Sequence, residues 1–275
     1  MLGIIALGGG FNGAISVGYW KYLQEKKIRP DYVQLISVNV LNGLSFIARQ
    51  NIGQLEYWWT NIVAKRGPSF IFQKGNRFDF VRKLLWGDCL FNSKGLEFLI
   101  EKGGDIPGFF LSPIYTEIVT RNESRNYDLH FFSNKDAKPL LMSDIILGAT
   151  ALIPAFRPRL INNEYHSDAL TFDIERAIKY GCDTIILMRN DHGKKIIAPR
   201  NHWSLRLTGG MGNLIDELTD LKLQIARLTY PNHKIIELKI KKPIPHLSTD
   251  NFRKGSDDIQ KAIDYGYEAA ARILK

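Results

Sequence analysis

A glycine-rich loop between an apolar run and an amphipathic segment is the feature that most restricts how this chain can fold. Residues 2–7 read LGIIAL, a pattern typical of a short buried strand, and GGGFNG follows at 8–13. The next residues, 13–27, place apolar side chains at helical spacing and end in basic residues. A strand that passes through glycines directly into a helix indicates the first unit of an α/β fold.

The same order then repeats. Pro30 and Asp31 end the first predicted helix, and YVQLIS at 32–37 predicts a second buried strand. A helical pattern follows this strand, with an interruption near Gly53. Strand, helix, strand and helix at this spacing predict an α/β fold with a mainly parallel central sheet flanked by helices.

The rest of the chain continues the alternation in a less regular way. Helical patterns lie at 78–86, 94–100, 142–152, 172–181, 214–228 and 256–274, the last with Ser256 as its cap; strand patterns lie at 112–120, 127–134, 182–189 and 234–240. No Ser/Gly/Pro-rich linker, low-complexity tract or internal repeat divides the 275 residues. We therefore predict a single domain over 1–275.

Charge and hydropathy restrict the partners and the location. The formal net charge of +9 can attract nucleic acid or an anionic membrane surface. The basic residues do not gather on one helix face, so a solvated basic surface is favoured and nucleic acid is not expected as a partner. No apolar run approaches the ~18 residues of a transmembrane helix, and the N-terminus lacks a basic n-region. We expect a cytoplasmic protein, with peripheral contact to an anionic membrane as an additional expectation; the oligomeric state stays open.

We predict no disulfide or metal-binding role for the two cysteines. Cys89 and Cys182 form neither a disulfide framework nor a C-x-x-C metal motif, and both lie in apolar surroundings. We expect them in the core, and we expect no metal and no cofactor.

The glycine loop permits three interpretations. Gly8, Gly10 and Gly13 match G-x-G-x-x-G, but the acid that a dinucleotide site requires would be Asp31, which precedes the second strand instead of ending it. The glycines could also simply form a tight turn. In the third interpretation the backbone amides of the loop form an oxyanion hole, because Ser37 ends the neighbouring strand and would stand beside them.

Two stretches make the third interpretation specific. LGGGFNGAISVGYWKYLQEKKIRPDYVQLISVNVLNG places the glycine loop, a helix and a serine turn in the order that the patatin-like phospholipase family uses, and GATALIPAFRPRLINNEYHSDAL resembles that family's hairpin with its catalytic aspartate. The chain resembles this family over most of its length, with little contribution from 50–135. The resemblance implies a patatin-like three-layer sandwich.

The resemblance also implies a Ser–Asp dyad that hydrolyses lipid esters of the phospholipase A type. Ser37 would be the nucleophile, Asp168 the general base, and Gly8, Gly9, Gly10 and Gly13 the oxyanion loop. The substrate would be a lipid or another ester. An α/β-hydrolase triad using His192 or His202 is an alternative, but that fold places its serine after several strands.

The chain departs from the family pattern at the serine and at the aspartate. Leu35 and Asn39 replace the two glycines of the G-x-S-x-G elbow, and Ala169 follows Asp168 where the family has glycine. Asn12 replaces the usual basic residue of the loop. Because the elbow glycines avoid steric contact, a catalytically impaired protein of this fold that binds lipid or a protein partner is the alternative function.

Overall fold

In the computed structural model the described residues are 1–48, 51–73, 89–190, 203–244, 246–248 and 251–275, and for 203–212 only the backbone. They contain an eight-stranded mixed sheet, and the parallel strands β3, β2, β1, β7 and β8 form its larger part. Strands β4, β5 and β6 run antiparallel to their neighbours at one side. The prediction of an α/β fold with a mainly parallel central sheet is therefore confirmed.

The elements follow the chain in this order. The strands are β1 (Leu2–Ala6), β2 (Tyr32–Ile36), β3 (Tyr115–Asn122), β4 (Asp128–Ser133), β5 (Arg159–Ile161), β6 (Glu164–Asp168), β7 (Thr184–Met188) and β8 (Lys234–Leu238). The helices are α1 (Gly13–Glu25), α2 (Val38–Ile47), α3 (Ile52–Tyr57), α4 (Ala64–Arg66), α5 (Lys94–Gly103), α6 (Ile106–Leu111), α7 (Met142–Ala149), α8 (Ile174–Lys179), α9 (Trp203–Thr229) and α10 (Asp258–Ile273). A π-helical turn, Trp58–Val63, joins α3 to α4.

Helices cover both faces of the sheet. Residues of α1, α2, α7 and α10 share one apolar core with the inward side chains of the sheet, while α8 and α9 contribute to a second core on the other face. Alternating residues of β1 show this division, because Ile4 belongs to the first core and Ile5 to the second. The arrangement is the three-layer sandwich that the resemblance implied.

One edge of β3 is shared by two strands, and this arrangement positions the candidate site. β4 pairs with β3 from Glu117 to Asn122, and this ladder overlaps the pairings of both β2 and β6. Since a strand has only two edges, β2 and β6 must lie along the same edge, end to end. Ile36 of β2 is opposite Val119, and Asp168 of β6 is opposite Thr120. The carboxyl ends of β2 and β6 therefore meet.

Helix α1 is held against the last helix by an unusually close contact. A methyl group at Gly18 would lie 2.0 Å from the carbonyl oxygen of Ile263, and one at Gly266 would lie 2.0 Å from the carbonyl oxygen of Ile15. Only glycine allows two helix backbones to approach this far. The contact fixes α1, whose first residue, Gly13, is also the last residue of the glycine loop.

Most sequence-predicted elements are present with small shifts at their ends. The prediction for the last helix placed the cap at Ser256, whereas the helix begins at Asp258 with Asp257 as N-cap, and the Ser256 hydroxyl accepts the Asp258 amide at 3.3 Å. The α9 helix begins eleven residues before the predicted start at 214. The predicted helix at 78–86 lies outside the described residues. None of the helices in the described part is long and apolar enough to cross a membrane.

Candidate active site

Ser37 occupies a strained turn between β2 and α2. Its φ of 56° and ψ of −132° lie in a region that L-residues rarely adopt, and it is the N-cap of the helix that begins at Val38. Such a conformation costs on the order of 1–3 kcal/mol and persists only where the surroundings enforce it. A serine in a sharp strand-to-helix turn has the backbone geometry of a nucleophile elbow, although both flanking glycines are missing.

The glycine loop passes directly beside Ser37. A methyl group at Gly8 would lie 2.7 Å from the Ser37 Cβ and 3.2 Å from its Oγ, so no side chain fits there. Gly9 (φ 147°) and Gly10 (φ 53°) both have positive φ, which glycine adopts without strain. The loop therefore needs glycines for two reasons, its conformation and its closeness to the serine.

Three amides of the loop have no acceptor in the described part of the chain. The Leu7 amide donates to the Met188 carbonyl at 3.1 Å, and the Asn12 amide donates to the Gly9 carbonyl at 2.9 Å. Between them, the amides of Gly8, Gly9 and Gly10 donate to no acceptor among the described residues. Unpaired amides at the start of a helix are suited to binding an anion.

Gly13 differs from the other loop glycines. Its amide donates to the carbonyls of Gly10 and Phe11, so it is already in use. A methyl group at Gly13 would lie 2.5 Å from Cγ1 of Val38, so this glycine lets α1 pack against the start of α2. Gly13 therefore contributes to the packing of α1 beside the site, and its amide is not available to bind an anion.

Two asparagines hold the beginning of the loop. The Nδ2 atoms of Asn39 and Asn190 both donate to the carbonyl of Leu7, and Asn190 also donates to the carbonyl of Gly8 at 3.1 Å. The Oδ1 of Asn39 accepts from the hydroxyl of Ser16 at 2.6 Å and from the indole of Trp20 at 3.3 Å. Asn39, which stands where the family has glycine, thus connects the loop to α1.

Leu35, the other departure from the elbow pattern, is accommodated by a glycine on the following helix. The side chain is fully buried, and a methyl group at Gly43 would lie 2.3 Å from its Cδ2. The Leu35 side chain therefore occupies the space that the absent side chain of Gly43 leaves between β2 and α2. This contact lets the strand and the helix pack closely with leucine at position 35.

A tight hairpin delivers Asp168 to the serine. Asn162 and Asn163, both with positive φ, form the two-residue turn between β5 and β6, a turn that asparagine favours. Asp168 ends β6, is 4% exposed, and its amide donates to the carbonyl of Ala151 at 3.0 Å. The structure therefore brings Asp168 and Ser37 together, since the strands that carry them meet along β3.

The surroundings of Asp168 tune its carboxyl group. Burial raises the pKa to about 6, and the nearby Ser37 hydroxyl, a hydrogen bond from the Leu170 amide and the charge of Arg121 oppose this increase. The Leu170 amide donates at 3.1 Å, and Arg121 Nη2 donates to the Ala169 carbonyl at 3.1 Å. The carboxyl is consequently ionised at neutral pH yet basic enough to accept a proton.

Two contacts hold the loop after Asp168, which lacks the glycine of the family motif. Leu170 has a φ of 55°, a conformation that glycine would adopt without strain. The amide of Leu170 bonds to the carboxylate, and Arg121 holds the preceding carbonyl. These two contacts maintain the turn with Ala169 and Leu170 in place.

The other sequence-derived candidates do not join this site. His192 and His202 lie outside the described residues. The Asp31 carboxylate accepts a hydrogen bond from the Leu2 amide at 2.8 Å, at the amino end of β1. The glycine loop follows the carboxyl end of β1, so Asp31 and the loop lie at opposite ends of this strand. In the described ranges no group of three or more His, Cys, Asp or Glu side chains could hold a metal ion. Sequence reasoning missed Arg121 and Asn190; the position of Asn190 just after a parallel strand was the available signal.

Comparison with known proteins supports the assignment of the fold and the family. The sequence model of the patatin-like phospholipase family matches residues 7–173, more than half of the chain. The structure is similar to the crystal structure of VipD from Legionella pneumophila, with a TM-score of 0.54 and 13% sequence identity, over 99% of this chain. The chain spans 66% of the length of the VipD chain. No curated protein sequence matches the chain.

Proposed function

Because the chain belongs to the patatin-like phospholipase family, we propose that it is a lipid acyl hydrolase that uses Ser37 as nucleophile and Asp168 as general base. Members of this family typically hydrolyse lipid esters. The proposed substrates are carboxylic esters with a fatty acyl chain, phospholipids among them. The site uses neither a metal nor a cofactor in this proposal.

The proposed reaction proceeds in two stages through an acyl-enzyme. Asp168 takes the hydroxyl proton of Ser37 while Oγ attacks the ester carbonyl, and the amides of Gly9 and Gly10 bind the oxygen that becomes negative. The intermediate then expels the alcohol, which leaves with the proton from Asp168. A water molecule, deprotonated by the same carboxylate, attacks the acyl-serine; the fatty acid leaves as the bond to Ser37 Oγ breaks, and Asp168 returns the proton to Oγ.

The observation that carries this proposal is the backbone of Ser37. A serine without a functional role at the end of a strand is not expected to have a φ of 56°. Relaxation of its backbone to an ordinary conformation would lower the free energy of the fold. The strain is maintained beside unpaired loop amides and next to a buried carboxylate, which are the other two requirements of acyl transfer. The alternative, an impaired protein that only binds lipid, does not require this strain.

The purified protein is therefore expected to release fatty acid from phosphatidylcholine vesicles or to hydrolyse a short-chain nitrophenyl ester. Ser37→Ala is the matched control, since it removes only the hydroxyl. Equal rates for the wild type and Ser37→Ala would show that the turnover does not depend on Ser37 and would contradict the proposal. Lipid binding that survives Ser37→Ala, with no turnover in either protein, would support the binding alternative.

The rate of ester hydrolysis is expected to depend on pH through Asp168. The general base must be ionised, and burial raises the pKa of Asp168 to about 6. The rate should rise as the pH increases through about 6 and stay level above it. A rate that is already constant between pH 4 and pH 8 would mean that another group limits the reaction.

A further inference from the structure

The outer face of α9 carries a row of exposed apolar side chains that no described part of the chain covers. Each of these side chains is more than half exposed; together they form what we call the outer stripe, namely Leu214, Leu218, Leu221, Ile225 and Leu228. The opposite face of the helix packs on the sheet through Thr219, Leu223 and Ala226. The helix therefore has two apolar faces, whereas a helix at the surface of a protein needs only one apolar face to pack on the core.

The spacing of the outer stripe is that of a coiled-coil seam. Its members follow one another at intervals of four, three, four and three residues, the 3.5-residue average of a heptad. In heptad terms, Leu214, Leu221 and Leu228 occupy d positions, and Leu218 and Ile225 occupy a positions. Leucine at every d position, with β-branched Ile225 at one of the two a positions, is the combination that favours two parallel strands.

The direction of α9 argues against a membrane as the covering surface. The helix connects β7 to β8, which are parallel neighbours, so it runs antiparallel to them. Its 27 residues extend about 40 Å, more than twice the length of the adjacent five-residue strands. The site lies at the carboxyl ends of the strands. A bilayer that covers the site would therefore lie roughly perpendicular to α9 and could not contact the whole length of the outer stripe.

The area of the outer stripe matches what a dimer requires. Five such side chains present roughly 500 Å² of apolar surface, the size of the largest patch on a typical monomer. Two copies would bury roughly 1,000 Å², about the smallest area expected of a specific interface. In a parallel pair the flanking positions bring Glu217 opposite Lys222 of the second copy and Gln224 opposite Thr229, so no like charges face each other. Lys222 is already engaged in its own chain with Thr171 at 2.7 Å, so the pair would depend on the apolar seam.

We propose that the chain forms a two-fold dimer in which the outer stripes of two α9 helices pack as a short parallel coiled coil. The interface is isologous, because each copy contributes the same stripe. The proposal does not depend on the hydrolase activity, and either can fail while the other holds.

Sedimentation of the full chain tests the proposal. The wild type is expected to be dimeric at about 10 μM, and Leu221→Glu combined with Ile225→Glu is expected to weaken the dimer at least about a hundredfold. Leu140→Glu is the matched control, because Leu140 is 96% exposed outside the stripe and its replacement should leave the dimer intact. Circular dichroism should be the same for all three proteins, since none of the replaced side chains is buried within one copy. Urea unfolding should also agree at a protein concentration low enough for the wild type to be monomeric, because dimerisation adds to the apparent stability.

A cysteine at a d position tests the geometry of the pair. In a parallel pair the two copies of residue 221 face each other, so Leu221→Cys in a Cys89→Ser background is expected to form an intermolecular disulfide. Leu140→Cys in the same background should not. A wild type that is monomeric up to about 100 μM, or a dimer that survives the two glutamates, would overturn the proposal. In a monomeric protein, stripe-dependent binding to vesicles would instead assign the stripe to lipid.

Discussion

Asp168→Asn is expected to lower kcat for ester hydrolysis by about 10²–10⁴-fold while leaving the fold intact. Asparagine has the size of aspartate but cannot accept the proton of Ser37. Stability at pH 8 should be unchanged or higher, because burial raises the pKa of Asp168 to about 6 and the ionised form is therefore the less favourable one inside the fold. The loss of rate can then be assigned to chemistry.

Asp173→Asn is the matched control for this variant. Asp173 lies five residues further along the same loop, where its carboxylate accepts the Glu175 amide at 2.9 Å at the start of α8. The rate should change by less than about threefold. Adding Ser37→Ala to Asp168→Asn should produce no further large loss, since the two residues act as a unit. Equal losses for the Asp173 and Asp168 variants would contradict the assigned base.

Restoring the two elbow glycines, by Leu35→Gly with Asn39→Gly, is expected to destabilise the protein by about 4 kcal/mol or more and not to improve catalysis. Leu35 is fully buried, so its loss opens a cavity beside Gly43. Asn39→Gly removes the acceptor of the Trp20 indole and a donor to the Leu7 carbonyl. The loop that would bind the oxyanion then loses one of its two asparagine supports.

Urea unfolding measures this effect. Leu160→Gly is the matched control, because Leu160 is an exposed strand leucine whose replacement should cost only about 1 kcal/mol. A double-mutant cycle tests the contact between Leu35 and Gly43 directly. Leu35→Ala and Gly43→Ala should each lower the free energy of unfolding, and the double variant should lower it by less than the sum of the two single effects. A glycine-restored variant that is as stable as the wild type and more active would show that the elbow is simply impaired.

The fold was predictable because its signals are local. β1, the glycine loop, α1 and β2 each have a periodicity or a composition that sequence alone reveals, and parallel order follows from their alternation. The start of α9 was not predictable, since its first residues lack a clear apolar stripe, whereas its end was predicted to within one residue. The family assignment from the sequence is confirmed by the match over residues 7–173.

The candidate site was predictable only in part. Ser37 and Asp168 could be named from motifs, and their roles stay a prediction. The way in which Gly43 accommodates Leu35, and Asn39 supports Leu7, depends on contacts between residues eight and 32 positions apart, which no spacing rule reveals. Judged from the sequence by side-chain bulk and by backbone conformation, these two departures counted against catalysis.

Labelling with a fluorophosphonate tests the central claim, that Ser37 is an activated nucleophile, most directly. Intact-mass analysis should show one adduct on the folded wild type, and peptide mapping should place it on Ser37. Ser37→Ala should remain unlabelled, and labelling of the wild type should weaken below about pH 6 as Asp168 becomes protonated. A folded wild type that takes up no label, or takes it up on another serine, would contradict the account.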